Sequence, residues 1–131
     1  MTLTYTLMFA VAFGLINLWL AFRAGRARMG AKVSIGDGGN PLLAARMRAQ
    51  ANFLEYVPLA LILIGLIEMR VGASQLLFGL GIALVLARIA HAFGMERPMP
   101  NPLRAGGILV TFAVTLALIA WGALLLYGFV G

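Results

Sequence analysis

PLLAARMRAQANFLEYVPLALILIGLI, residues Pro41 to Ile67, opens polar and closes as almost pure hydrocarbon. Its first three turns carry Arg46, Arg48, Gln50 and Asn52. From Phe53 to about Ile67 it is apolar except for Glu55 and Pro58. The run Gly36-Asp37-Gly38-Gly39-Asn40-Pro41 sets its start, with Asn40 as cap and Pro41 as first helical residue. Pro58 lacks a backbone N–H and should kink the helix. A helix that begins in polar surroundings and ends in apolar ones suits a chain entering a bilayer. Three more apolar stretches flank it, which places helices at about residues 3–22, 41–69, 74–93 and 103–129. Ser74 can cap the third, and a Pro-rich loop, Glu96 to Pro102, precedes the fourth. Short connections make successive helices antiparallel neighbours. The expected fold is all-α: one integral membrane antiparallel four-helix bundle over residues 1–131.

Composition agrees. Of 131 residues, 63% are hydrophobic and 11% charged. A soluble domain has roughly 45–50% apolar and about 25% charged residues, and disorder needs low hydrophobicity. A crossing takes about 20 apolar residues, so four crossings use most of the chain. No separate soluble catalytic domain fits. The absence of cysteine excludes disulfides, zinc–thiolate sites, iron–sulfur clusters and cysteine nucleophiles. The N-terminal MTLTYTLMF lacks the basic region of a signal peptide and reads as a retained transmembrane helix. The net charge of +6 fits cationic loops beside a membrane better than a nucleic-acid surface, which would interleave basic and aromatic residues.

Charge also gives direction. Arg23, Arg26, Arg28, Lys32, Arg46 and Arg48 lie between the first span and the middle of the second, and Arg97 and Arg104 flank the third loop. The opposite side has only Arg70. By the positive-inside rule, loops one and three are cytoplasmic and both termini are outside, periplasmic in a bacterial inner membrane.

Ionisable groups inside membrane spans are costly and mark function by default. Here they gather at one end. Asn17, Asn52, Glu55, Arg88, His91 and Arg104 all fall within roughly 10 Å of the inner boundary at 1.5 Å rise per residue. Arg48, Asn52 and Glu55 share one face of helix two, and Arg88, His91 and Met95 share one face of helix three. Facing helices would set Glu55 against Arg88. The plainer readings sit beside these. Arg23, Arg26, Arg28 and Lys32 serve topology and lipid contact, Asn17 a helix–helix hydrogen bond, and Trp19, Trp121 and Tyr127 packing or the interface. The Gly79, Ala83, Ala87 stripe is a close-packing face, within or between subunits. A one-ended polar cluster closed beneath by hydrocarbon is suited to bringing a soluble polar molecule against a lipophilic one. A transporter site would sit near the midplane.

The segment from Arg48 to Leu59, RAQANFLEYVPL, resembles the helix-two signature of the MAPEG family, membrane-associated proteins in eicosanoid and glutathione metabolism. The resemblance extends over the whole chain, through Ala87-Arg88 and Leu103-Arg104, and its Gly36–Gly39 loop and His91–Met95 run resemble the short bacterial branch. It implies a homotrimer with glutathione bound in cytosol-facing sites between subunits. It also implies that Arg48, Asn52, Glu55 and Tyr56 contact glutathione, with Gln50 as a further polar contact and Arg88 at the site. Arg104 stands where leukotriene-synthase-like members support the thiolate, and Arg28 lies near a first-loop arginine. His91 and Met95 depart from the pattern, standing where those synthases carry tyrosines.

The chemistry this implies is thiol activation. Arginines grip carboxylates bidentately, Glu55 can pair an ammonium, and a guanidinium near the thiol favours the nucleophilic thiolate. The expected function is a membrane-bound glutathione transferase or peroxidase acting on a lipophilic electrophile, with Arg104 catalytic. The alternatives are a non-catalytic binding protein of the same fold and a small multidrug transporter that uses Glu55.

Overall fold

The computed structural model describes residues 2–130. Four helices follow one another: α1 (Thr4–Ala31), α2 (Pro41–Val71), α3 (Gln75–Gly94) and α4 (Pro102–Leu126). α3 packs most extensively on α4, and α1 on α2; α1 and α4 do not meet. α1, α3 and α4 are each long and apolar enough to cross a membrane. α2, at 31 residues, is long enough but carries charge at both ends, with Arg46, Arg48 and Glu55 in its first half and Glu68 and Arg70 in its last turn.

Local chemistry sets the helix starts. Asn40 accepts a hydrogen bond from the Leu43 amide at 2.9 Å, and Asn101 accepts one from the Arg104 amide at 2.8 Å. Each is followed by proline, whose missing N–H costs nothing at a first helical position. Ser74 caps α3 in the same way. α2 runs unbroken across Pro58 as one helix.

α1 extends to Ala31, nine residues beyond the expected end at Phe22. The arginines that end the apolar span do not end the helix, because arginine and alanine are good helix formers. α1 ends where Lys32 turns left-handed at φ 56°. Arg28 then clamps the following loop, donating to the Gly36 carbonyl at 2.8 Å.

α1 has no side-chain cap from its own N-cap, Leu3. Instead Glu68, near the end of α2, reaches across. Its carboxylate accepts from the Tyr5 amide at 2.9 Å, the Thr6 amide at 2.7 Å and the Thr6 hydroxyl at 2.5 Å. A carboxylate on the free amides of a first turn both satisfies them and complements the helix dipole. Glu68 is 1% exposed.

The core is a column of aromatic and aliphatic side chains, with Phe9 beside Phe13 and Phe13 edge-on to Phe53 at 6.2 Å. Of the expected stripe, Gly79 faces open space while Ala87 is buried at the α4 contact, and glycines outside the stripe admit the other close approaches. Gly81 receives the ring of Phe9, and Gly107 of α4 sits on α3, where an added Cβ would lie 2.7 Å from His91 Cβ. The outward faces stay apolar: Leu7, Leu18 and Leu116 are each about two-thirds exposed. In water such faces would aggregate; in a bilayer they meet acyl chains.

Candidate functional site

α2, α3 and α4 converge on a cleft of about 180 Å³ at the end of the bundle that bears the first and third loops. Arg48 and Asn52 of α2, His91 of α3, Met95 at its C-terminus, and Arg104 and Ile108 of α4 line it. The helical spacing read from the sequence does bring these side chains to one place.

Beneath the cleft lies Arg88, 1% exposed. Its guanidinium donates to Asn52 Oδ1 at 2.7 Å and to Thr111 Oγ1 at 3.3 Å, and it meets His91 Nδ1 at 3.4 Å. The Thr111 hydroxyl in turn donates a hydrogen bond to the Gly107 carbonyl at 2.7 Å. A guanidinium has donors only, so His91 Nδ1 accepts. In the neutral ring that leaves Nε2 with the proton. Three helices are thus tied by one side chain, and both Asn52 and His91 are fixed in orientation by it.

The expected pairing of Glu55 with Arg88 does not form. Glu55 pairs with Arg48 of its own helix, at 2.9 Å and 3.4 Å through both oxygens. Residues seven apart lie on one face, so Arg48 reaches Glu55 without crossing to another helix. Asn52, between them, turns to Arg88 instead. The Arg48–Glu55 pair is half exposed, with side chains 54% and 44% accessible. Among the described residues no carboxylate lies within ion-pair distance of Arg88 or Arg104, and the one side-chain hydrogen bond of Arg104 among them goes to the Met99 sulfur. Three guanidiniums therefore surround the cleft against one carboxylate. The surplus suits an anionic, acceptor-rich ligand.

Other expected residues stand apart. Tyr56 packs edge-on against Phe112 at 5.2 Å, beyond the cleft margin. Gln50 is two positions from Arg48, about 200° around the helix, and lies off the cleft. Arg28 closes the first loop instead. Among the described residues Asn17 makes no helix–helix hydrogen bond, and its buried side-chain oxygen finds no partner among them. Thr111 was not foreseen. A threonine in an apolar helix usually bonds back to its own turn, so nothing in the sequence singles it out.

The cleft is smaller than ordinary small-molecule pockets of roughly 300–1,000 Å³. One wall is the half-exposed Arg48–Glu55 edge of α2.

A family model described as MAPEG family matches residues 6–124. Inner membrane protein YecN of Escherichia coli strain K12 is 30% identical over 99 residues, 76% of each chain, and YecN of Escherichia coli O6:H1 matches equally. No solved structure matches the chain.

Proposed function

The chain belongs to the MAPEG family, and on that premise we propose that it is a membrane-bound glutathione-dependent transferase, acting on lipophilic electrophiles at a cytosol-facing site between subunits. Family and fold together make it a four-helix membrane protein of the glutathione and eicosanoid class. The observation that carries the finer reading is the surplus of guanidinium over carboxylate around the α2–α3–α4 cleft. Glutathione brings two carboxylates, an ammonium and a thiol. Arg48 grips a carboxylate, Glu55 takes the ammonium, His91 offers an N–H from Nε2, and Arg104 is left to face the thiol. Arg88 keeps Asn52 and His91 in place from below.

A free thiol has a pKa of about 8.5, so a guanidinium beside it raises the thiolate fraction at neutral pH. Arg104, with no carboxylate to offset it, is that cation. The thiolate sulfur then forms a bond to an electrophilic carbon, whose displaced electron pair leaves with the departing group or on a ring-opened oxygen. No protein nucleophile is needed, which suits a chain without cysteine. The small cleft and half-exposed Arg48–Glu55 edge favour completion by a neighbouring copy, and the family resemblance supplies the number, a homotrimer. The inner membrane location printed for the Escherichia coli relative supports the same location here.

The test is glutathione titration of detergent-purified protein by calorimetry, with conjugation measured against a panel of lipophilic electrophiles. Binding with conjugation is expected; protein that neither binds nor conjugates overturns the reading. A second reading, a non-catalytic binding protein, is favoured by the cleft's His91 and Met95, which supply no hydroxyl. Binding without turnover of any electrophile would select it.

A further inference from the structure

On another face of the bundle, a groove of about 550 Å³ runs along α1 from Trp19 to Ala31, bounded by the start of α2 and the end of α3. It contributes nothing to the cleft. Its floor and rim divide by chemistry. Trp19, Phe22 and Phe93 make an aromatic part; Arg23, Arg26 and Arg46 make a cationic part. Trp19 packs on Phe93 with ring centroids 5.4 Å apart, and the Arg23 guanidinium lies over Trp19 at 4.7 Å.

The two parts lie at different depths. α1 is apolar up to Phe22 and carries its arginines beyond it. From Trp19 to Gly30 the helix rises about 16 Å, so the groove begins beside acyl chains and ends among headgroups. Its charge is not cancelled from within. Glu96 pairs with both Arg23 and Arg46, so one carboxylate serves two guanidiniums. Arg26 is exposed, lies over Phe22 at 5.9 Å, and has no carboxylate within ion-pair distance among the described residues. Arg46 is further fixed by its bond to the Arg23 carbonyl at 2.9 Å.

We propose that this groove is a binding site for one anionic glycerophospholipid, its phosphate held by Arg26 and Arg46 and an acyl chain laid along Trp19, Phe22 and Phe93. Charge complementarity selects the occupant. A zwitterionic lipid brings its own cation toward the arginines, and a second copy of this face would set arginine against arginine. Guanidinium recognises phosphate through paired donors, and aromatic side chains settle at the depth between acyl chain and headgroup.

The chain has two tryptophans, which makes the site directly readable. Trp121→Phe leaves Trp19 as the sole indole. The variant is reconstituted in phosphatidylcholine vesicles containing a minor fraction of either brominated-chain phosphatidylglycerol or brominated-chain phosphatidylcholine. Trp19 fluorescence should be quenched more by the phosphatidylglycerol at equal mole fraction. Adding Arg26→Gln should reduce that preference about fivefold, the contribution of one basic residue at an anionic surface, while Arg26→Lys keeps most of it. Equal quenching by the two lipids overturns the proposal, leaving ordinary boundary lipid. Quenching by neither also overturns it, since protein then covers the groove. Arg26 is exposed, so the substitution leaves the fold intact, and circular dichroism checks this.

Discussion

Arg88 carries a charge into the bundle with amide, hydroxyl and imidazole partners but no carboxylate. Its position was legible: i, i+3 and i+7 spacing put it on one face with His91 and Met95. Its partner was not. Spacing assigns a residue to a face, whereas the partner across the interface depends on helix rotation and on what each side chain finds nearer. Glu55 finds Arg48 on its own helix first, which frees Asn52 for Arg88. The division of labour at the cleft follows. Arg88 is buried and positions others, while Arg104 lines the cleft and can meet a ligand. Replacing Arg104 by alanine is therefore expected to preserve most glutathione binding by calorimetry but to abolish the thiolate ultraviolet absorbance near neutral pH. Unchanged thiolate absorbance would remove Arg104 from the catalytic role.

At the scale of elements, capping residues and apolar runs fixed where helices start, and three of the four starts fall where Asn40, Ser74 and Asn101 put them. The end of α1 was misread because hydropathy reports the edge of the membrane, not of the helix. The role of Glu68 was not legible, because its partners lie more than sixty residues away in the chain, at the start of α1. Glu68→Gln keeps the shape but loses the charge on the first turn of α1. It should cost about 1 kcal/mol, seen as a lower thermal midpoint in detergent and faster hydrogen exchange at the Tyr5 and Thr6 amides. Exchange that stays slow would mean the clasp is not what protects that turn. The α3–α4 contact is equally specific. In Gly107→Ala the new methyl would meet His91 Cβ at 2.7 Å and the Ala87 carbonyl at 2.8 Å. Both neighbours belong to α3, so the helices must part. An overpacking cost of about 1–3 kcal/mol is expected, together with weaker glutathione binding, because His91 and Arg88 shift with the contact. Native affinity in this variant would show that the cleft tolerates movement of α4.

Over the whole molecule, polar groups are sorted by end. One end holds the guanidinium-rich cleft and the arginine groove; at the other, Glu68 is consumed in capping α1. The first and third loops should therefore be labelled only from the cytoplasmic side. The cysteine-free chain makes this measurable: single cysteines at Asp37 and Ala73 should react with a membrane-impermeant maleimide from opposite faces of sealed vesicles. Glu55→Cys should react from the Asp37 side alone. Reaction of that cysteine from both faces would favour transport. The gathering of polar groups at one end of the bundle was readable from the distribution of arginine, because a one-dimensional count suffices for it. The cleft's three-sided construction was not readable, since it depends on how α4 seats against α3 through Gly107.

The reach of Glu68 also bears on the order in which the protein is made. The first turn of α1 emerges early, yet the acceptor for its free amides is encoded sixty-two positions later. At the edge of a bilayer an unsatisfied amide is costly. The first helix is thus left incomplete until the second has been laid down to its final turn. The smallest self-sufficient piece of this protein is then not a single helix but the pair, and a nascent chain halted before Glu68 would present an open end for the insertion machinery to shelter.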